Sequence, residues 1–221
     1  VYQGEIMKIL CVADSKDERL LRPQTLESLK DVEFILSAGD LDLSYLDELY
    51  NCYNKSLYFV FGNHQLKYYL DFEGKGLFAK SNFMHKYTHL KSLEGRFVYK
   101  NGVILFGLGG CMKYNKDTHQ YSEGEMKWII RKNWWKFLYN KLRYGRYVDI
   151  LVTHAPPRGI HDDSSDVCHK GFKAFNAFIE KYKPKYHIHG HTHIYDLDMT
   201  RETKVNGTIV ANAYKHIIIE L

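Results

Sequence analysis

Five short apolar runs in this chain each end in residues that can hold a metal ion or move a proton. Met7 to Ala13 ends in Asp14, and Val32 to Ser37 is followed by Gly39-Asp40. Leu57 to Phe61 ends in Gly62-Asn63-His64, Asp149 to Thr153 in His154, and Tyr186 to His189 in Gly190-His191-Thr192-His193. Carboxylates hold hard cations, and imidazole suits transition metals. Alternate residues of an extended segment face the same way, so His191 and His193 can address one site. A lone Asp after a strand is ordinarily a turn or cap residue. Any one of these clusters would carry little weight, whereas five in order carry a great deal. Seven of the twelve histidines fall in the forty residues from His154 to His193, which makes spacing informative.

The elements that must position these residues alternate. Leu20 to Lys30 and Ser44 to Tyr53 read as helices between the first three runs, the βαβ pattern of a parallel sheet. Ligands of open α/β sheets gather beyond the carboxyl ends of the strands. Phe97 to Lys100 and Val103 to Leu108 read as strands joined at Asn101-Gly102, a strong hairpin signal. Ser122 to Tyr144 reads as one long helix with a Ser122–Glu125 capping box. Its core-facing stripe would run through Met126, Ile129, Ile130, Trp134, Phe137, Leu138 and Leu142. Lys170 to Tyr182 is expected to be a helix with Phe172, Phe175, Phe178 and Ile179 inward. Tail strands should turn at Asn206-Gly207. No repeat or linker divides residues 1–221, which are read as one domain.

Composition narrows the class. Hydrophobic residues make up 45% and charged residues 26% of 221 residues, as in soluble globular proteins. No apolar run is long enough to span a membrane and no signal segment opens the chain, so no membrane partner is expected. Cys11, Cys52, Cys111 and Cys168 form no C-x-x-C pair, which fits reduced thiols and a cytoplasmic location. The net charge of +5 suits an anionic substrate but is also common on a solvated surface.

The ordered set resembles the calcineurin-like metallophosphoesterase superfamily, whose pattern is D-x-H, G-D, G-N-H-[D/E], H and G-H-x-H. The matches are Asp14, Gly39-Asp40, Gly62-Asn63-His64, His154 and Gly190-His191-Thr192-His193. The resemblance implies a four-layer αββα sandwich, two mixed β-sheets flanked by helices. It implies two divalent transition ions (Mn, Fe or Zn), with Asp40 bridging them. Asn63, His154 and His191 would complete one site, and Asp14 and His193 would serve the other. A metal-bridging hydroxide would attack a small-molecule phosphodiester or phosphomonoester, and His64 would protonate the leaving oxygen. A scaffold of the same fold with a decayed metal site, and a nuclease acting on nucleic acid, are the rivals. Two residues depart from the pattern. Lys16 stands where the family has His, and Gln65 where it has Asp or Glu. Lys16 is expected to turn toward solvent, leaving the Asp14 side weaker. Asp162, Asp163, Asp166 and His169 form a lesser acidic group, and His189 could support His191 from behind. Substrate choice would lie in the loops Lys67 to Arg96 and Lys113 to Tyr121, which carry no motif.

Overall fold

The computed structural model describes residues 6–64, 87–195 and 199–221. Gln65, His85 and most of the Lys67–Arg96 loop lie outside them. Among the described residues the strands are β1 (Lys8–Ala13), β2 (Val32–Ser37), β3 (Leu57–Phe59), β4 (Lys91–Ser92), β5 (Phe97–Lys100), β6 (Val103–Leu108), β7 (Cys111–Met112), β8 (Gln120–Tyr121), β9 (Ile150–Thr153), β10 (Tyr186–His189), β11 (Glu202–Val205), β12 (Thr208–Asn212) and β13 (Lys215–Glu220). One sheet has the order β13-β1-β2-β3-β4 and the other β11-β12-β10-β9-β6-β5; β7 and β8 pair separately. Both sheets are mixed. β1, β2, β3 and β4 run parallel while β13 joins antiparallel; β6, β9, β10 and β12 run parallel while β5 and β11 close the edges antiparallel.

The period-two alternation of β1 shows how the layers form. Ile9, Cys11 and Ala13 face the seam between the sheets, where they meet Leu105, Ile150, Val152 and Ile188 of the second sheet. Leu10 and Val12 face the opposite way, toward the helices α1 (Pro23–Ser28) and α2 (Leu43–Tyr53). On the far side of the second sheet, Phe106 and Leu151 pack under α3 (Glu123–Arg131), α4 (Trp134–Tyr144) and α5 (Lys173–Tyr182). The architecture is therefore helix, sheet, sheet, helix. Both hairpins turn as expected, with Asn101 and Asn206 at φ 48° and 50°.

Two helices differ from the sequence expectation. The Leu20–Lys30 segment is a 3-10 turn (Glu18–Leu21) followed by α1, because Pro23 lacks an N–H and starts a new helix. The segment after Ser122 keeps its capping box but breaks at Lys132-Asn133. The side-chain amide of Asn133 donates to the Ile129 carbonyl at 3.0 Å, competing with the helical ladder. Burial keeps one helical phase across the break: Met126 and Ile130 of α3, then Asn133, then Phe137 and Asn140 of α4 are buried at alternating four- and three-residue steps, so Trp134, Leu138 and Leu142 of the expected stripe face solvent.

Candidate metal centre

The five polar strand ends gather at one rim, drawn from both sheets. Asp14 follows β1, Asp40 follows β2, and Asn63 and His64 follow β3, all on the first sheet; His154 follows β9 and His191 follows β10 on the second. Three of these residues, Asp14, Asp40 and His191, hold φ of 63°, 57° and 68°. That left-handed region is sparsely populated by residues with a side chain, and such conformations cluster at functional sites.

Two glycines are required by close approach. A Cβ on Gly62 would lie 2.0 Å from Oδ1 of Asp40, and one on Gly190 would lie 2.6 Å from Oδ2 of Asp14. The motif glycines thus leave room for the two carboxylates. Both Asp14 oxygens accept the backbone N–H of His191, at 2.9 and 3.0 Å, and Oδ1 of Asp40 accepts that of His64 at 2.9 Å.

His154 is fully buried, and its surroundings fix its chemistry. Nδ1 lies 2.8 Å from the Ala38 carbonyl and 4.0 Å from Asp14 Oδ1, so this nitrogen carries hydrogen. Nε2 faces two more oxygens, Asn63 Oδ1 at 3.0 Å and Asp40 Oδ2 at 3.2 Å. A lone pair aimed at two acceptors is satisfied only by a proton or by a cation between them. Burial alone would lower the His154 pKa, but the Asp40 and Asp14 carboxylates reverse this and hold it at about 9. Burial likewise opposes charge on Asp40, yet His154 and the His64 N–H keep it ionised, at about 2. Asp14 is pushed up to about 7 by burial and by repulsion from Asp40. Burial, with the charge of His154, lowers His191 to about 3, so at neutral pH its imidazole is uncharged as a metal ligand must be. Nε2 of His191 reaches the Cys168 carbonyl at 2.7 Å, which leaves Nδ1 with the lone pair. Ligand-type atoms of Asp40, His154 and His191 all lie within 4.8 Å of one another. This donor set, one carboxylate and two imidazoles beside the Asn63 oxygen, fits a divalent transition ion.

The remaining expected residues lie outside this cluster. His193 is exposed; its Nδ1 meets the Tyr195 hydroxyl at 2.7 Å and its ring lies 5.1 Å from that of Tyr214. Among the described residues neither His193 nor Asp14 joins a cluster of three ligand-type groups. The Lys16 ammonium pairs with Asp42 at 3.0 Å, both half exposed, in line with the expectation that it turns toward solvent. His64 lies exposed at the rim. His189 is buried and pairs with Nδ1 of His161 at 2.9 Å, behind the site.

Two contributors, Glu94 and Cys168, had no sequence signal, whereas His169 belonged to the lesser group after His154. Glu94 accepts the backbone N–H groups of Phe61 at 2.7 Å and Gly109 at 3.1 Å, which ties the loop carrying Asn63 to the end of β6. Cys168 and His169 form a second ligand-type cluster with His191, on the loop after His154. On that loop Nδ1 of His169 lies 2.6 Å from Oδ2 of Asp166. Their convergence on His191 depends on the 158–171 loop folding back, which no spacing records.

A family model described as calcineurin-like phosphoesterase matches residues 7–195. UPF0046 protein K07C11.7 of Caenorhabditis elegans is 25% identical over 207 residues, covering 85% of this chain and 63% of that protein. The chain thus spans under two thirds of that relative's length. Among solved structures, TT1561 of Thermus thermophilus matches at TM-score 0.62 and 11% identity, over 95% of this chain and 90% of that one. GAP50, the anchor in the inner membrane complex of Plasmodium, matches at 0.53 and 13%, over 94% and 71%. At such identities the structural likeness is one of fold.

Proposed function

This chain belongs to the calcineurin-like phosphoesterase family, and on that premise we propose that it is a metal-dependent hydrolase of a small-molecule phosphodiester or phosphomonoester. The observation that carries this reading is the convergence of Asp40, His154 and His191, within 4.8 Å, on a His154 nitrogen faced by two oxygens. Asp40, Asn63, His154 and His191 would hold one divalent ion, Mn, Fe or Zn. Asp40 would be shared with a second, weaker ion held by Asp14 and His193. When bound, such ions supply Lewis-acid polarisation of the phosphoryl group and a lowered pKa for water.

The chain's own residues do the rest. Asp40 and Asp14 supply negative charge that concentrates cations at the rim. The Ala38 carbonyl orients His154, and the Cys168 carbonyl orients His191, so that each presents one lone pair. His64, anchored through its backbone N–H on Asp40, carries its imidazole at the rim. There it would donate a proton to the leaving alkoxide.

A second reading has its own support. His193 is engaged with Tyr195 and Tyr214, and Lys16 stands where a ligand would strengthen the Asp14 side. Both favour a binding scaffold with an incomplete second site. The test is elemental analysis after loading with Mn²⁺, Fe²⁺ or Zn²⁺, together with turnover of chromogenic mono- and diesters. Retained metal with turnover supports the hydrolase. Retained metal with no turnover of any ester, or no retained metal, overturns the hydrolase and supports the scaffold.

A further inference from the structure

The chain has three tryptophans, Trp128, Trp134 and Trp135, and all three are more than half exposed. Leu138, Tyr139 and Leu142 are exposed beside them, Leu142 at 79%. On α4 the apolar residues Trp134, Leu138 and Leu142 follow one another at four-residue steps, with Trp135 and Tyr139 alongside. At 3.6 residues per turn this is one continuous stripe on the side opposite Phe137 and Asn140. Basic residues border it. By the same geometry Lys141 lies on one flank, and Lys136 and Arg143 lie on the other. Lys132 sits over the Trp128 ring at 4.9 Å and Lys136 over Trp135 at 5.4 Å.

The charge of this segment is one-sided. From Met126 to Val148 there are seven basic residues and no acidic one. The whole chain carries +5, so everything outside the segment sums to −2. Over α3 to α4 themselves, six basic residues against Glu123 and Glu125 give +4, most of the net charge of +5.

We propose that α3 and α4 dock on the surface of an anionic phospholipid bilayer, with the α4 stripe in the interface and the lysines and arginines at the headgroups. A solvent-facing apolar stripe with Trp and Leu, flanked by basic side chains, is the pattern of helices that lie in the membrane interface. Tryptophan favours that depth, and long basic side chains extend their charges to the headgroups. No helix among the described residues is long and apolar enough to cross a membrane, which agrees with surface docking. The sequence expectation of no membrane partner rested on the lack of a span and bears only on crossing. A second copy of the chain is disfavoured because two such faces would bring like charges together. Nucleic acid is disfavoured because the stripe is convex, includes aliphatic Leu138 and Leu142, and already has lysines over two tryptophan rings. The proposal does not rest on the hydrolase reading.

Intrinsic tryptophan fluorescence reports on this face alone, since no tryptophan lies elsewhere. The experiment adds phosphatidylcholine vesicles, with and without phosphatidylserine, to the 221-residue protein and follows emission and co-sedimentation. The expected result is a blue shift and co-sedimentation with the anionic vesicles only, weakened by salt. Brominated lipids should quench the emission of the parent protein, a readout that needs no variant. Leu138→Gln with Leu142→Gln should lose co-sedimentation while keeping the parent's circular dichroism. Each of Lys136→Gln, Lys141→Gln and Arg143→Gln should weaken partitioning by roughly 5-fold. No blue shift and no co-sedimentation at low salt would overturn the proposal. So would a blue shift with single-stranded oligonucleotides but not vesicles, or lipid-free self-association abolished by the Leu138/Leu142 variant.

Discussion

Replacing Gly62 by alanine adds one methyl group and isolates the geometry of Asp40. The added Cβ would lie 2.0 Å from Oδ1 of Asp40, 2.3 Å from its Cγ and 2.8 Å from its backbone nitrogen. Ordinary Cβ contacts begin at 3.4 Å, so Oδ1 must retreat by about 1.4 Å. That retreat gives up the 2.9 Å bond from the His64 N–H and the 3.2 Å approach to His154 Nε2. The carboxylate cannot swing freely, because the clash extends to its own backbone. Displacing a catalytic group by about 1 Å costs on the order of 10²-fold in rate, and overpacking costs about 1–3 kcal/mol in stability. Gly62→Ala should therefore bind Mn²⁺ at least 10-fold more weakly than the parent by calorimetry and lose about 10²-fold in turnover. Gly124→Ala is the control. Its Cβ would meet nothing closer than 4.0 Å, within helix α3, so it should leave metal binding intact and stabilise the fold by up to about 1 kcal/mol. A Gly62→Ala protein that binds Mn²⁺ as tightly and turns over as fast as the parent would refute the placement of Asp40 in the centre.

His191→Ala should abolish metal retention, measured by elemental analysis after loading and desalting, because it removes one of the three convergent ligand groups. His64→Asn should keep its metal and lose about 10²–10⁴-fold in turnover, most for esters with poor leaving groups; equal rates on an alkyl diester would rule out the proton-donor role. Asp17 is nearly buried, and its carboxyl is held below the usual range first by the Arg19 guanidinium and then by His216 at 2.8 Å. Such a depressed group stabilises the fold at pH values above its unfolded pKa of about 3.9, and the contribution is lost as pH falls. Asp17→Asn should thus cost about 1–2 kcal/mol at pH 7 in urea unfolding. The gap should begin to narrow below about pH 4 and close only as pH falls through the much lower folded-state pKa, and a gap that did not narrow over that range would show that the charge on Asp17 is not its source.

What could be read before folding was local. Strand ends stop at Asp14, Asp40, Asn63 and His154 because a turn residue must follow a buried strand. The hairpins at Asn101 and Asn206 are written in two residues each. The βαβ alternation follows from apolar runs separated by helical spacing, whereas the αββα order was available only through the resemblance carried by the ordered motifs. The break at Asn133 was hidden because the buried period continues across it, and only the side-chain bond to Ile129 marks the interruption. Equally hidden were the contacts between distant segments. Glu94 reaching Gly109, the Ala38 carbonyl orienting His154, and Cys168 meeting His191 each join residues whose sequence separation records nothing of their meeting. The same distance separates the expected and observed places of His193. Alternation along an extended strand puts it beside His191, but the chain leaves the strand at His189 and carries it to Tyr195 and Tyr214.

The candidate centre straddles the seam between the two sheets. Asp14, Asp40 and Asn63 come from one sheet, and His154 and His191 from the other. Asp14 bonds the His191 N–H, His154 bonds the Ala38 carbonyl, and Glu94 bonds Gly109, so each polar tie runs across that boundary. Neither half carries the centre without its partner. A cation held there would act as a rivet between two plates that are otherwise joined mainly by the apolar contacts of the seam. Its binding energy would add to the cohesion of the plates, by about 2.7 kcal/mol at a hundredfold excess over its dissociation constant. Conversely, any substitution that lets the plates slide, however far from the rim, changes the affinity for the ion.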